Sequence, residues 1–146
     1  MSISRSTSHA GAAILGLILF VVAGAAALSI DVPRTTYGLK SDEATYVAAA
    51  LSAAYDGDFA FERHDLERFA GLYHSGPDGV FLKRGKVMRI RIRGEFPFLR
   101  IMKREDPNQN RLYFGKAIAY SAAAAPFVRA FGLNGLLVFH VVLLGL

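Results

Sequence analysis

Apolar residues gather at the two ends of this chain and charged residues in its middle, and that division predicts most of its elements. No charged residue occurs from Ala10 to Ile30. That is about 21 residues, where a helix needs roughly 20 to cross a 30 Å hydrocarbon core. Gly11, Gly16 and Gly24 interrupt the stretch; glycine weakens a helix in water but is frequent in membrane helices. A cleaved signal peptide is the competing reading, with Arg5 as its basic start and Ala25-Ala26-Ala27 as its cleavage site. Its apolar core would then exceed the usual ~7–15 residues. The expectation is a retained span over residues 10–30, behind a cytoplasmic N-terminus of residues 1–9.

The polar middle, residues 31–116, changes pattern several times. Asp31-Val32-Pro33-Arg34 ends the span at a proline. Ser41 to Tyr55 reads as a helix, with Ser41 as its cap, Asp42 and Glu43 in its first turn and an alanine-rich run behind them. Asp56-Gly57-Asp58 is a turn. Glu62 to Tyr73 is an amphipathic helix with Leu66, Phe69 and Tyr73 on one side. Ser75-Gly76-Pro77-Asp78-Gly79 turns the chain again. Val87 to Arg93 alternates as a strand, Gly94 to Pro97 turns, and Phe98 to Met102 returns, so a β-hairpin is expected before the break at Glu105-Asp106-Pro107-Asn108.

From Ala117 the chain is apolar again. Residues 117–131 form an alanine-rich juxtamembrane helix carrying Pro126 and Arg129, and Gly132 and Asn134 mark a break. Residues 133–146 start a second membrane helix, whose roughly 14 residues reach only about 21 Å. The fold class expected is a mainly α integral membrane protein, its long extracytoplasmic loop carrying short helices and the hairpin, cut off within a multi-span bundle.

Composition narrows the chemistry. The 146 residues are 53% hydrophobic and contain no cysteine, which excludes a disulfide framework and a thiolate metal site. His9, His64, His74 and His140 are scattered without ligand spacing. The net charge is +5; beside a membrane span, lipid phosphate is a more economical partner for it than nucleic acid. All 12 acids, and all but Arg5 and Arg129 of the 17 lysines and arginines, lie in the middle segment. A loop that long escapes the positive-inside rule, so its side of the membrane is not fixed by charge.

Three places could carry chemistry. Asp42-Glu43, with Tyr46 following on roughly the same helical face, offers a general base near the headgroups; a first-turn charge pair is the plainer alternative. Tyr113-Phe114-Gly115-Lys116 sets a lysine at the membrane boundary, where it either holds a lipid phosphate or simply snorkels. The basic run from Lys83 to Arg104 reads as an arginine-protected edge strand before it reads as an anion surface. Asp56-x-Asp58 has the spacing of a metal-binding DxD pair, but its Asp-Gly dipeptide is accounted for by the turn.

The order of these pieces resembles the GT-C membrane glycosyltransferases, among them protein O-mannosyltransferases and the aminoarabinose transferases of lipid A. A D-E-x-x-Y motif stands at Asp42-Glu43-Ala44-Thr45-Tyr46. Then come Tyr113-Phe114-Gly115-Lys116-Ala117-Ile118-Ala119-Tyr120, Ala125-Pro126-Phe127 and Phe131-Gly132-Leu133-Asn134-Gly135-Leu136. The chain departs from the family in the residues after Lys116, where proline is frequent, and in an extra hairpin over residues 86–110. The resemblance implies Asp42 as catalytic base supported by Glu43, and Lys116 on the carrier phosphate, with Tyr46 and Tyr120 lining the same cavity. It implies a polyprenyl-phosphate sugar as donor, membrane lipid as surroundings, a bacterial inner-membrane location, no nucleic acid and no resident cofactor. A divalent metal has no support in the sequence. The chain would then be the N-terminal part of such an enzyme and inactive alone. A small two-span protein with a non-catalytic sensing or scaffolding loop is the alternative.

Overall fold

The structure is a computed structural model. It describes residues 4–36, 38–74, 76–92, 94–95, 99–105 and 110–146. Helices dominate, with a small three-stranded sheet and a separate hairpin. Helix α1, Ser4–Ser29, is a 26-residue rod, about 39 Å long. Ile14, Leu15, Leu17, Ile18, Leu19, Val21 and Val22 are each more than half exposed. A helix this apolar and this little covered by protein is a candidate membrane span. Two stretches are long and apolar enough to cross a bilayer, His9–Ser29 and Ile118–Gly145.

A single turn, α2 (Val32–Thr35), follows, with the Asp31 carboxylate accepting from the Arg34 N–H. Helix α3, Ser41–Tyr55, has the bounds its composition predicts, but not the predicted cap. Lys40 occupies the N-cap position without a side-chain bond, and Ser41 has φ +54° while its N–H donates to the Asp78 carbonyl at 2.7 Å. The contact with the 78–79 turn, rather than a serine hydroxyl, sets where α3 begins. Its alanines Ala44, Ala48, Ala49 and Ala50 are buried, and small side chains let another helix approach closely.

Helix α4, Arg63–Leu72, starts with a capping box: Glu62 and Asp65 each bond the other's backbone N–H. Phe69 and Tyr73 turn inward as the amphipathic pattern requires, whereas Leu66 remains 44% exposed. Asp65, one turn along the helix, is buried, because the capping box draws it toward the backbone.

Three short strands, β1 (Ala60–Phe61), β2 (Leu82–Arg84) and β5 (Leu112–Phe114), form an antiparallel sheet in the order β1-β5-β2. Strands this short carry too little alternation to be read from sequence. The predicted hairpin is present as β3 (Lys86–Ile92) and β4 (Leu99–Glu105), paired from Lys86↔Glu105 to Ile92↔Leu99. Arg93, Phe96 to Phe98, Asp106 to Asn108 and Ser75 from the predicted strand ends and turns lie outside the described residues.

Helices α5 (Ile118–Phe131) and α6 (Gly135–Gly145) are joined by a 3-10 turn at Gly132–Asn134. They do not form one straight rod. Tyr120 and His140 would lie about 30 Å apart along a continuous helix, yet the Tyr120 hydroxyl is 3.4 Å from His140 Nε2, and Phe127 stacks near Phe139 at 5.4 Å. The chain therefore reverses at Gly132. Gly135 is required there, because any Cβ would overlap the Phe127 carbonyl. Alone, α5 measures about 21 Å and α6 about 16 Å, short of the roughly 30 Å hydrocarbon core.

Helix α6 runs antiparallel to α1. Its start is tied to the end of α1 by the Asn134 amide, which donates to the carbonyls of Ala27, Leu28 and Ile30 at 3.0, 3.3 and 2.8 Å. Its end lies beside Phe20. Those carbonyls are among the ones a helix C-terminus leaves unpaired. On its other side α5 packs against α3 through buried Ser121, Ala124 and Val128, and the Ser121 hydroxyl donates to the Tyr46 carbonyl at 3.0 Å. Thus α5 is a layer between the polar loop and the apolar helices α1 and α6.

Candidate functional site

That layering brings the first turn of α3 against the start of α5. Lys116 Nζ lies 2.8 Å from Asp42 Oδ1 and 4.1 Å from the centroid of the Phe81 ring. One side of the ammonium meets a carboxylate, the other an aromatic face, an arrangement favourable to a cation on both sides. Four residues farther along the chain on each side, Tyr46 and Tyr120 meet edge to face at 5.7 Å. Four residues singled out in the sequence, Asp42, Lys116, Tyr46 and Tyr120, therefore form two neighbouring contacts between α3 and the segment leading from Lys116 into α5. On α3 the i to i+4 spacing puts Asp42 and Tyr46 on one face. Glu43, the fifth, is exposed and enters no ion pair among the described residues.

Two residues without a sequence signal hold this site together. Thr45, fully buried in α3, accepts from the Phe81 N–H at 3.0 Å and donates to the Ser41 carbonyl at 2.9 Å. The Gly115 N–H donates to the Phe81 carbonyl at 2.7 Å. A Cβ on Gly115 would lie 3.0 Å from that same oxygen, a close contact that Phe81 would have to yield to. The Phe81 backbone is thus held from both sides, and its partly exposed ring lies against Lys116.

His140 is the one polar side chain within α6. It is exposed, stacks near Tyr120 and extends the polar track from Lys116 through Tyr120 into the apolar helix pair. Its signal was legible as a lone ionisable residue in an apolar run, the kind that is expensive in a bilayer.

A second charged cluster sits at the far end of α3. Asp56, His64 and Asp65 bring their ligand atoms within 4.8 Å of one another. A guanidinium already occupies the space a metal would need. Arg68 donates to both oxygens of Asp56, at 2.8 and 2.9 Å, and to Asp65 at 3.2 Å. Hydrogen bonding from Arg68 holds Asp56 below the ordinary carboxylate range, and burial pushes Asp65 above it. Asp58 does not join Asp56 as a DxD pair; it bonds the Ala60 N–H and Arg111. The turn, not a metal, accounts for that motif. A shallow pocket of about 530 Å³, lined by Asp31, Arg34, Tyr73 and His74 among others, includes none of the sequence-predicted site residues.

Compared with known proteins, the chain matches no protein-family profile, no curated protein and no solved structure. Its own geometry therefore carries the functional argument.

Proposed function

We propose that this chain supplies the acceptor-activating and phosphate-holding residues of a membrane glycosyltransferase whose donor is a polyprenyl-phosphate sugar. The observation that carries this reading is the Asp42–Lys116 pair, a carboxylate and an ammonium 2.8 Å apart beside the apolar helices. A donor anchored in lipid presents its phosphate at that boundary. Lys116 would take the negative charge that develops on the phosphate as it leaves. Asp42 would accept the proton of an acceptor hydroxyl or amine. The new bond forms at the anomeric carbon, the old carbon–oxygen bond breaks, and its electrons depart on the polyprenyl phosphate. Tyr46 and Tyr120 would wall the cavity between phosphate and lipid. The loop would face outward from a bacterial inner membrane.

The test is transfer of a radiolabelled sugar from polyprenyl phosphate in membranes carrying the uninterrupted reading frame that contains this chain. Asp42→Asn should lower transfer at least about 100-fold, the lower end of a general base's contribution. Membrane insertion should be unchanged. Near-normal transfer in Asp42→Asn would remove Asp42 from the mechanism.

A further inference from the structure

We infer that Lys116 is an anion site already filled, in the resting molecule, by the Asp42 carboxylate, and that a lipid phosphate ester must displace that carboxylate to bind. The inference rests on the reading of Lys116 as the phosphate contact and adds a competition between the two residues.

The two halves of the pair are held unequally. The ammonium lies 4.1 Å from the centroid of the Phe81 ring. The Phe81 backbone is held by the Thr45 hydroxyl and the Gly115 N–H, and its ring, in a residue 45% exposed, gives the cation a contact besides the carboxylate. Asp42 sits in the first turn of α3 with its side chain 54% exposed, and the Lys116 side chain is 31% exposed. A single χ rotation takes the carboxylate into solvent without disturbing the helix. The oxygen now 2.8 Å from Nζ marks where an incoming oxyanion would lie, since a phosphate oxygen makes the same charge-assisted bond at about 2.7–2.9 Å.

One consequence is an order of binding. Without a phosphate ester, the Asp42 carboxylate is engaged with Lys116. Once the phosphate takes Lys116, the carboxylate is released beside it. Donor binding and release of the carboxylate from Lys116 become one event.

The experiment uses the full chain reconstituted in neutral phosphatidylcholine vesicles and titrated by calorimetry with a polyprenyl monophosphate, with inorganic phosphate titrated in parallel. Lys116→Gln should weaken lipid-phosphate binding about tenfold or more. Asp42→Asn, nearly isosteric, should tighten it about three- to fivefold, the size of an exposed ion pair removed as a competitor. Glu67→Gln, on the surface of α4, should leave it unchanged. If Asp42→Asn leaves affinity unchanged or weaker while Lys116→Gln weakens it, the displacement is wrong and the phosphate contact stands. If Lys116→Gln has no effect, both fail. Inorganic phosphate binding as tightly as the lipid would overturn the lipid assignment. A readout independent of folding in the variant is carbodiimide modification of Asp42 in the unaltered chain. It should rise as polyprenyl monophosphate saturates; a constant or falling yield overturns the displacement.

Discussion

Single residues decide whether the candidate site exists at all. Lys116 depends on Phe81, and Phe81 depends on two backbone bonds, one to a threonine hydroxyl and one from a glycine N–H. Thr45→Val keeps the shape of the side chain and removes that hydroxyl. The Phe81 N–H then loses its partner in a partly buried setting, which should cost about 1–3 kcal/mol of stability. Gly115→Ala should instead push Phe81 away, because its new methyl would meet the Phe81 carbonyl. Phosphate-lipid binding by the Gly115→Ala chain should fall several-fold, with its helical circular dichroism retained. Unchanged binding would show that the ring does not seat the cation. Asp42, Tyr46, Lys116 and Tyr120 were legible as candidates, since each is polar or aromatic close to an apolar run. Thr45, Phe81 and Gly115 were not, because their roles are backbone bonds between segments distant in sequence.

At the scale of elements, α4 is anchored to the end of α3 by Arg68, which bridges Asp56 and Asp65 and lies 5.2 Å from the Tyr55 ring centroid. The pH dependence follows from the two carboxylates. The folded pKa of Asp56 is lowered, chiefly by the hydrogen bond from Arg68, so its stabilisation is present above the unfolded value of about 3.9 and is lost as pH falls through the lowered one. Asp65 is shifted upward by burial, so its ionised form opposes folding at neutral pH and acidification relieves that cost. The two partly cancel, and the acid limb should be shallower than Asp56 alone would give. Arg68→Met should lower stability by about 1–3 kcal/mol near pH 7, and the deficit should shrink near pH 3. Thermal melts in detergent at both pH values check this. An equal deficit at both would mean that the arginine acts through packing on Tyr55 rather than through charge. Helices α3 and α4 were legible because their periodicity and first-turn acids are local. The three-stranded sheet was not, since strands of two or three residues leave no readable alternation.

The whole molecule is a polar loop joined to a pair of apolar helices by the α5 layer. If α1 spans a bilayer and the loop faces outward, the absence of native cysteine makes the arrangement directly testable. Ala70→Cys, at an exposed position of α4, should react with a membrane-impermeant maleimide in intact cells. Labelling only after the membrane is broken would put the loop on the other side and remove the proposed access of Asp42 to an external acceptor.

Sequence by itself determined the apolar ends, the charged middle, the bounds of α3, the hairpin and the break near Gly132, because each is written in a local run of side chains. It also supplied the two residues on which the functional reading turns. Only the tertiary structure decided that the last apolar stretch doubles back, that α5 separates the loop from helices α1 and α6, and that Asp42 and Lys116 are partners. Those facts depend on contacts between residues far apart in the chain, such as Asn134 with the end of α1 and Ser121 with Tyr46. No local pattern encodes such contacts, since they are fixed by close packing of small side chains and by backbone groups that must find partners once water is excluded.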